Sequence, residues 1–460
     1  MKSIIILSLI SSALLSGVVE TSTGSYVQIF SEKKRHSKIV ATVSTSKGRI
    51  TQKICTTNRN NEEWCKVIYS NRDVNIRGYV DKRTLSVVSA RPKTKETFET
   101  HYGGDRDDVG NAIIPLKDGA LIVGYTESFG AGNDDAYVMR VDRFGNKMFS
   151  GAFGGGGDDI LNAVVKVKGG FLLAGTTKSY GNRQESLYLA KMSDNGQVQW
   201  QNGYYSDKDD YYRGNDMIKI SDKNVLIAGS EDHVKFFDSN KDMYLNAIDF
   251  DGRRNGIKRY GGEDTEDANS IVAVKDGYVL AGVTETWGHG DKDAYVIKVD
   301  FDGNRVWHNA YGFRYDEVAN QIINTRDGGF ILVGTTESDI QNQKDVFVVK
   351  IDANGNRQWK KHFGTKEHEE GNGIVEVDDG YVIAGYTKYT ASYNSDAYLL
   401  KITKDGNIVW NRRYGGERDD AALAIIKVRD GFMITGYTTS AETYSKDMYL
   451  IRVDNDGKIK

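Results

Sequence analysis

The sequence predicts an all-β protein made of seven equivalent four-stranded sheets, and composition and periodicity support this prediction. Fifty glycines stand against two prolines, which is typical of a chain rich in tight β-turns. A motif that begins with an aromatic residue, usually followed by Gly, recurs at spacings of 51 to 56 residues: Tyr102, Phe153, Tyr204, Tyr260, Tyr311, Phe363 and Tyr414. Periods near 50 residues with several short apolar runs in each indicate a β-propeller.

Each repeat holds four predicted strands, which we call a blade. In the fourth repeat they are expected at residues 269–274, 277–284, 293–300 and 304–311, with Asp302-Gly303 as a tight hairpin between the last two. A four-stranded sheet cannot bury both of its faces alone, so the blades must pack against one another in a ring.

The register of the repeats predicts how the ring closes. A large aromatic stands four residues before the motif in six copies: Phe98, Phe149, Trp200, Trp307, Trp359 and Trp410. It also follows the turn glycine by four residues, as Trp307 follows Gly303, and after Gly457 that position would be 461. We therefore expect Phe98 to lie on a strand that completes the last blade and removes an exposed sheet edge.

The repeated run Tyr-Gly-Gly, Asp-Asp-Ala, Asp-Gly, Gly-Tyr-Thr and Asp-Ala-Tyr-x-x-Lys is similar to the seven-bladed β-propeller repeat of exported bacterial proteins. The resemblance covers residues 98–460. Members of that family mostly have no assigned biochemical activity. The resemblance therefore implies architecture and an exported location (periplasm, cell surface or secreted) rather than a reaction.

The N-terminal part is predicted to contain three segments. Residues 1–23, with a short positive start and an apolar run, are expected to be a signal peptide, and residues 91–97 a linker. Residues 24–90 show short alternating β-runs, and their Trp64-x-x-Val67 and Gly78-Tyr79-Val80 resemble a bacterial SH3 domain. That resemblance implies binding to cell-envelope polymers.

The charge distribution agrees with such a partner. Residues 25–93 carry ten more basic than acidic side chains, although the whole chain has a net charge of −3. A solvated basic face without a ligand is the alternative. The negative total argues against nucleic-acid binding, and without a later apolar segment of spanning length we expect no membrane span after signal removal, and a monomer.

The two cysteines, Cys55 and Cys65, flank a polar loop in this segment. In an exported chain such a pair predicts a disulfide. A metal or redox site is the rival interpretation, but Cys-x-x-Cys spacing is lacking and His36 is the nearest histidine.

Every copy of the repeat carries two adjacent acids: Asp107 and Asp108, Asp158 and Asp159, Asp209 and Asp210, Glu266 and Asp267, Asp316 and Glu317, Glu369 and Glu370, and Asp419 and Asp420. These acids are expected in loops around the mouth of the central channel. A functional interpretation is a ring that binds a divalent cation such as calcium, or a basic ligand. We favour a structural one, in which an acid of each pair neutralises a third-strand cation such as Lys298 or caps loop amides.

Catalytic motifs are not found in the sequence. The histidines show no His-x-x-x-His or His-Glu-x-x-His spacing, and Gly-x-Ser-x-Gly does not occur. We therefore assign no catalytic residue, no metal ligand and no cofactor, and leave the cation open.

Departures from the repeat are better indicators of a binding site. The third copy has extra tyrosines and an unusual loop, and other copies place an aromatic on the loop between the second and third strands. The predicted ligand-binding residues are Phe129, Tyr180, Tyr211, Tyr212, His233, Phe236, Phe237 and Trp287. Aromatics on loops suit stacking on sugars or peptide side chains, whereas packing within a blade is the alternative.

Two functional hypotheses follow. The first is an exported, non-catalytic binding or scaffold protein, whose basic head engages an envelope polymer and whose propeller binds a protein or glycan. The alternative is an extracytoplasmic hydrolase or lactonase that uses channel-mouth carboxylates such as Asp108 and Asp159.

Overall fold

The computed structural model describes residues 97–459 apart from 182–184, 206–210, 236–237, 338–342, 390, 393 and 442–443, and the backbone of five strands nearer the N-terminus. The chain forms two compact units, Met1–Thr94 and Lys95–Lys460. The predicted signal peptide at 1–23 and nearly all of the predicted linker at 91–97 lie outside the described residues. Within the described part of the chain, no helix has the length and hydropathy needed to span a bilayer.

The first unit contains one antiparallel five-stranded sheet with the strand order β2-β1-β5-β4-β3. Its strands are β1 (Tyr26–Phe30), β2 (Ile39–Ser44), β3 (Arg49–Thr57), β4 (Glu63–Ser70) and β5 (Asn75–Asp81). The backbone register places Cys55 opposite Cys65 on neighbouring strands. The strand order alone does not test the predicted SH3-like barrel, and the cysteine side chains lie outside the described residues. The barrel and the disulfide therefore stay predictions.

The second unit contains seven four-stranded antiparallel sheets, as predicted. Blade 1 is β7 (Asp108–Leu116), β8 (Gly119–Thr126), β9 (Asp135–Asp142) and β10 (Lys147–Phe153). Blade 2 is β11 (Asp159–Val167), β12 (Gly170–Thr177), β13 (Ser186–Ser193) and β14 (Val198–Tyr204). Blade 3 is β15 (Tyr211–Lys219), β16 (Asn224–Lys235), β17 (Asp238–Asp249) and β18 (Arg254–Tyr260).

The remaining blades follow the same order. Blade 4 is β19 (Glu266–Val274), β20 (Gly277–Thr284), β21 (Asp293–Val299) and β22 (Arg305–Tyr311). Blade 5 is β23 (Glu317–Asn324), β24 (Phe330–Thr336), β25 (Asp345–Ile351) and β26 (Arg357–Phe363). Blade 6 is β27 (His368–Val377), β28 (Gly380–Lys388), β29 (Ser395–Thr403) and β30 (Ile408–Tyr414). Blade 7 is β31 (Asp420–Val428), β32 (Gly431–Thr438), β33 (Asp447–Asp454) and β6 (Phe98–Tyr102).

The predicted closure is confirmed. Strand β6 pairs antiparallel with β33, with Phe98 opposite Arg452 and Tyr102 opposite Met448. The first strands of adjacent blades contact one another all the way round, including β31 with β7. The ring is therefore closed, and the start of the propeller supplies the outer strand of its last sheet.

The hydrophobic core is divided among the junctions between blades. At the junction of blades 4 and 5, for example, Val279 and Ala281 pack with Ile322 and Phe347. Nearly every residue of the second and third strands is buried, because adjacent blades cover both faces of the sheet. A single blade would leave these faces in water, so each depends on its neighbours.

Outer-strand aromatics contact the next blade at the glycine turn that follows its third strand. The hydroxyl of Tyr414 donates to the carbonyl of Gly457 at 2.6 Å, and Trp410 covers the same glycine. Gly457 has a φ of +70°, and an added Cβ would lie 2.9 Å from the Trp410 ring. A glycine is therefore required by both conformation and space. Tyr204, Tyr260 and Tyr311 make the same bond to Gly252, Gly303 and Gly355.

Closure gives the first prediction. A chain that starts at Gly103 lacks β6, so blade 7 exposes the edge of β33 and blade 1 loses the Tyr102 contact with its turn. We expect aggregation, or a fall in melting temperature of about 10 °C or more. The control is a chain that starts at Lys95, the beginning of the second unit. A monodisperse Gly103 chain with the melting temperature of the control would contradict the closure.

Candidate functional site

The loops that join one blade to the next and those between second and third strands share one end of the propeller, which we call the loop face. Six acids on this face, each six residues after the motif aromatic, are at most 1% exposed: Asp108, Asp159, Glu266, Glu317, Glu369 and Asp420. They belong to six of the seven predicted pairs. The pair Asp209 and Asp210 lies outside the described residues.

These buried acids cap the loop that precedes them. Asp159 accepts hydrogen bonds from the amide of Gly155 at 2.8 Å, from Ser179 Oγ at 2.6 Å and from the Thr177 hydroxyl. Glu266 accepts from the amide of Gly262 and from Thr284 Oγ1, each at 2.6 Å. The threonine belongs to the Gly-x-Thr ending of the second strand, which explains why the two motifs occur together. These acids have a structural role.

The outer acids of the pairs lie at the surface and meet lysines. Asp158 is 2.9 Å from Lys178, Asp107 is 3.5 Å from Lys446, and Glu370 is 3.2 Å from Lys344. Three other outer acids accept hydrogen bonds from nitrogen donors, namely the Asn215 side chain and the amides of Lys292 and Ser395: Asp267, Asp316 and Asp419. The channel mouth therefore carries a mixed network of charges instead of a uniformly acidic ring. Among the described residues, no group of three potential ligands is placed to hold a metal ion.

The expected pairing of these acids with third-strand cations is not what the structure contains. Lys298 pairs with Asp276 at 2.8 Å, and Arg140 with Asp118 at 3.0 Å. Both acids belong to the turn between the first and second strands. The register brings the cation to that end of the blade, whereas the buried acids cap loops at the other end.

Blades 1 and 2 share a local excess of negative charge. Partial burial, with Asp158, Glu127 and Asp107 nearby, raises the pKa of Asp134 to about 6, although Lys178 opposes the shift. Lysines stand at the position of Asp134 in four other blades, as Lys241, Lys292, Lys344 and Lys446. Blade 1 therefore has an acid where those four blades have a cation.

Blade 3 replaces the acid–threonine pair with a different cluster. Tyr212 takes the position of the buried acid, and Glu231 takes that of the threonine opposite it. The Tyr212 hydroxyl donates to Glu231, and Arg259 binds both carboxylate oxygens of Glu231 through its guanidinium. Tyr212 is only 1% exposed, so it does not belong to a ligand-binding surface.

The structure also contains a ring of asparagines that the sequence reasoning missed. The first strand of each blade has a β-bulge, and in six blades the bulged residue is Asn, whose side chain donates to a carbonyl of the next blade at 2.9 to 3.1 Å: Asn111, Asn162, Asn215, Asn269, Asn320 and Asn372. Blade 7 has Leu423 instead. The signal for this ring in the sequence is an Asn that stands three residues after the position of the buried acid in six copies of the repeat.

The predicted aromatics on the loop face mostly stack on the third strand of their own blade. Phe129 stacks on Tyr137 with a centroid distance of 6.0 Å, and Tyr180 lies parallel to Tyr188 at 5.8 Å. Tyr180 also donates to the carbonyl of Gly154. Packing within the blade therefore accounts for Tyr180, while Phe129 remains 46% exposed.

Trp287 is part of a cleft as well as of the blade. It stacks on Tyr295 at 5.0 Å and meets the ring of His308 edge-on at 4.9 Å, while His308 Nδ1 and the Tyr295 hydroxyl lie 2.9 Å apart. Burial lowers the pKa of His308. These residues border a cleft of about 400 Å³ between blades 4 and 5, to which Asp293 and Arg357 add opposite charges.

An equivalent cleft of about 570 Å³ lies between blades 7 and 1. Asp447 and Lys147 take the positions of Asp293 and Arg357, and His101 lies 2.8 Å from Asp447. Ala441 stands where the other cleft has Trp287. The two clefts thus share an acid and a cation, and the ring of Trp287 distinguishes the one between blades 4 and 5.

The other predicted ligand-binding residues add little to this surface. Tyr211 is half-buried at the start of β15. His233 lies on β16, but its side chain is outside the described residues, as are Phe236 and Phe237.

No family model matches this chain, and no curated protein matches its sequence. Among solved structures, the WD40 β-propeller domain of Doa1 is similar, with 10% identity over 78% of this chain and 97% of that chain and a TM-score of 0.44. The lignostilbene dioxygenase of Pseudomonas brassicacearum has 9% identity, covering 90% and 96% of the two chains, with a TM-score of 0.41. A protein of unknown function from Bacteroides caccae has 12% identity, covering 59% and 88%, with a TM-score of 0.39. This similarity concerns the β-propeller fold alone and carries no information about activity.

The capping role predicts a loss of stability in Asp159→Ala. The change leaves the Gly155 amide and the hydroxyls of Ser179 and Thr177 without their acceptor. Urea denaturation should show a loss of about 2–4 kcal/mol in the free energy of unfolding. Asp302→Ala, at an exposed turn, is the control and should change it by less than about 0.5 kcal/mol. Equal stability of both variants would contradict the capping role.

Asp134 predicts a pH dependence of stability. The pKa of Asp134 is raised in the folded state. The contribution of this side chain to the free energy of unfolding is therefore most favourable below about pH 4, and it is lost as the pH rises through about 6. Asp134→Asn removes this loss and should be more stable than the wild type at pH 7.5 but not at pH 4.

The expected difference is about 1 kcal/mol or less, because Asp134 is largely solvated. Melting temperatures of both proteins from pH 4 to 8 measure it, with Asp405→Asn at an exposed turn as the control. A constant difference across that range would show that Asp134 does not titrate there.

Proposed function

We propose that this protein is an exported, non-catalytic binding or scaffold protein whose propeller recognises a glycan in the cleft beside Trp287. The N-terminal basic module would hold it to a cell-envelope polymer. The observation that carries the proposal is the Trp287 cleft, in which an aromatic surface stands next to a small set of polar groups.

The chemistry of the cleft suits a sugar. Trp287 and His308 supply ring surface for the apolar face of a pyranose. Asn309 and Arg357 supply hydrogen-bond donors for its hydroxyl groups. Asp293 is 2% exposed and accepts from the amides of His289 and Gly290, so it holds the loop that carries Trp287 in place. A ligand would thus meet a preformed wall.

Burial of the proposed catalytic acids favours binding over hydrolysis. Asp108 and Asp159 are 0% exposed, and each accepts hydrogen bonds from a loop amide and a serine hydroxyl. A carboxylate without exposed surface does not reach a substrate. An extracytoplasmic hydrolase or lactonase that depends on these two residues is therefore the weaker proposal.

The test compares Trp287→Ala with a matched control, Phe129→Ala. Both residues stand three positions after the threonine that ends the second strand, and both stack on a tyrosine of the third strand. Wild type and variants are screened on an array of cell-wall glycan fragments and neutral oligosaccharides. Affinity for the bound glycans is then measured from tryptophan fluorescence and calorimetry.

We expect Trp287→Ala to bind at least about tenfold more weakly, equivalent to about 1.4 kcal/mol, and Phe129→Ala to retain the wild-type affinity. Trp287→Phe should recover part of the loss because it keeps a stacking surface. Failure of the wild type to bind any glycan, or unchanged binding by Trp287→Ala, would contradict the proposal.

A further inference from the structure

A third cleft, of about 390 Å³, opens at the other end of the propeller, where the hairpin turns of blades 7 and 1 meet. Five basic side chains line it, with Asp430 as the one acidic lining residue among those described: Lys117, Arg143, Lys427, Arg429 and Arg452. We propose that this basic cleft binds a ligand that carries closely spaced phosphate groups.

Three of the five cations have no acidic partner among the described residues. Among the described residues, no carboxylate lies within ion-pair distance of Lys117, Arg143 or Arg429. Lys427 has only a distant partner, Asp378 at 3.9 Å. Several exposed cations held close together repel one another, and a multivalent anion relieves that repulsion.

The cleft is also built on fixed groups. Arg452 is 5% exposed on β33 and donates to the carbonyl of Arg143, so one cation at the base is held across the junction of the two blades. The Arg143 guanidinium lies 4.6 Å from the centre of the Phe144 ring. These contacts reduce the side-chain entropy that a ligand would otherwise have to remove.

At the neighbouring junction of blades 6 and 7, Lys401 and Arg429 keep the positions of Arg452 and Lys117, but the other three equivalent positions are not basic. In blade 6, Glu376 stands at the position of Lys427, and Asp378 at that of Arg429. Asn455 in blade 7 corresponds to Arg143 in blade 1. The repeat therefore does not demand these cations. Blade 2 has lysines at the positions of Lys427, Arg429 and Arg452, but the blade after it has Phe250 at the position of Arg143.

Phosphate suits this arrangement better than a carboxylate. The donors come from two blades and surround the cleft, and a tetrahedral oxyanion accepts hydrogen bonds from more directions than a planar carboxylate does. Arg143 and Arg429 are among the lining residues, and a guanidinium can donate two hydrogen bonds to two oxygens of one phosphate. The source is either a small free compound or a polymer that repeats the same group.

The experiment is calorimetric titration of the full chain with tripolyphosphate in 150 mM salt, where weak long-range attraction is screened. Arg429→Glu and Arg143→Glu should each lower the affinity by about tenfold or more. The control is Lys275→Glu, which has the same position in blade 4 as Arg429 in blade 7 and should stay within about twofold of the wild type. Melting curves establish that each variant is folded.

Three results would contradict phosphate binding by the basic cleft. Absence of binding by the wild type, an equal loss in Lys275→Glu, or equally tight binding of citrate would overturn the proposal. Long-chain polyphosphate separates the two sources. Affinity about tenfold above that of tripolyphosphate indicates a polymer that extends over the turns, and equal affinity per site indicates a small ligand.

Discussion

The ring depends on the contact by which each blade holds the next. An outer-strand pair such as Trp410 and Tyr414 lies over the turn glycine of the following blade, Gly457, where only a residue without a side chain fits. Because each sheet is covered on both faces, no blade is stable alone, and the contact has to be made at every junction. Strand β6 makes it at the junction where the first and last strands of the propeller meet, since it completes blade 7 and also places Phe98 and Tyr102 on the turn of blade 1.

This dependence explains why the fold was predictable and the site was less so. The spacing from Gly303 to Trp307 encodes a contact with a neighbour, so a count of spacings gave the number of blades and the strand that closes them. The partner of a charge is a different matter. Lys298 and Glu266 belong to one blade, yet the first meets the turn acid Asp276 and the second meets Thr284 at the opposite end. Only the register of the strands separates the two ends.

Two other features required the structure for similar reasons. The first strand of blade 4 begins at Glu266, three residues before the predicted start, because a bulge at Asn269 interrupts the alternation by which it would be recognised. In blade 3, Tyr212 replaces the buried acid and Glu231 replaces the threonine. From Tyr204 to Tyr212 the sequence is two residues longer than the matching segment of the other copies, so the tyrosine takes the position of the acid. The aromatic at 287 was found from its loop, but its cleft depends on His308 and Arg357, which come from two different strands of two blades.

A repeat that satisfies its own polar groups leaves little for function, so function has to be sought where the copies differ. The caps and bulge asparagines use hydrogen bonds that a ligand would otherwise meet, and they do so in nearly every blade. The junction of blades 7 and 1 keeps the caps of Asp108 and Asp420 but lacks the bulge asparagine. Leu423 cannot make the asparagine bond to blade 1, and among the described residues no carboxylate pairs with Arg143 or Arg429 in the turns of this junction. Strand β6 gives blade 7 the same fourth strand that the other blades have, so the departures at this junction lie in its bulge and in the basic side chains of its turns.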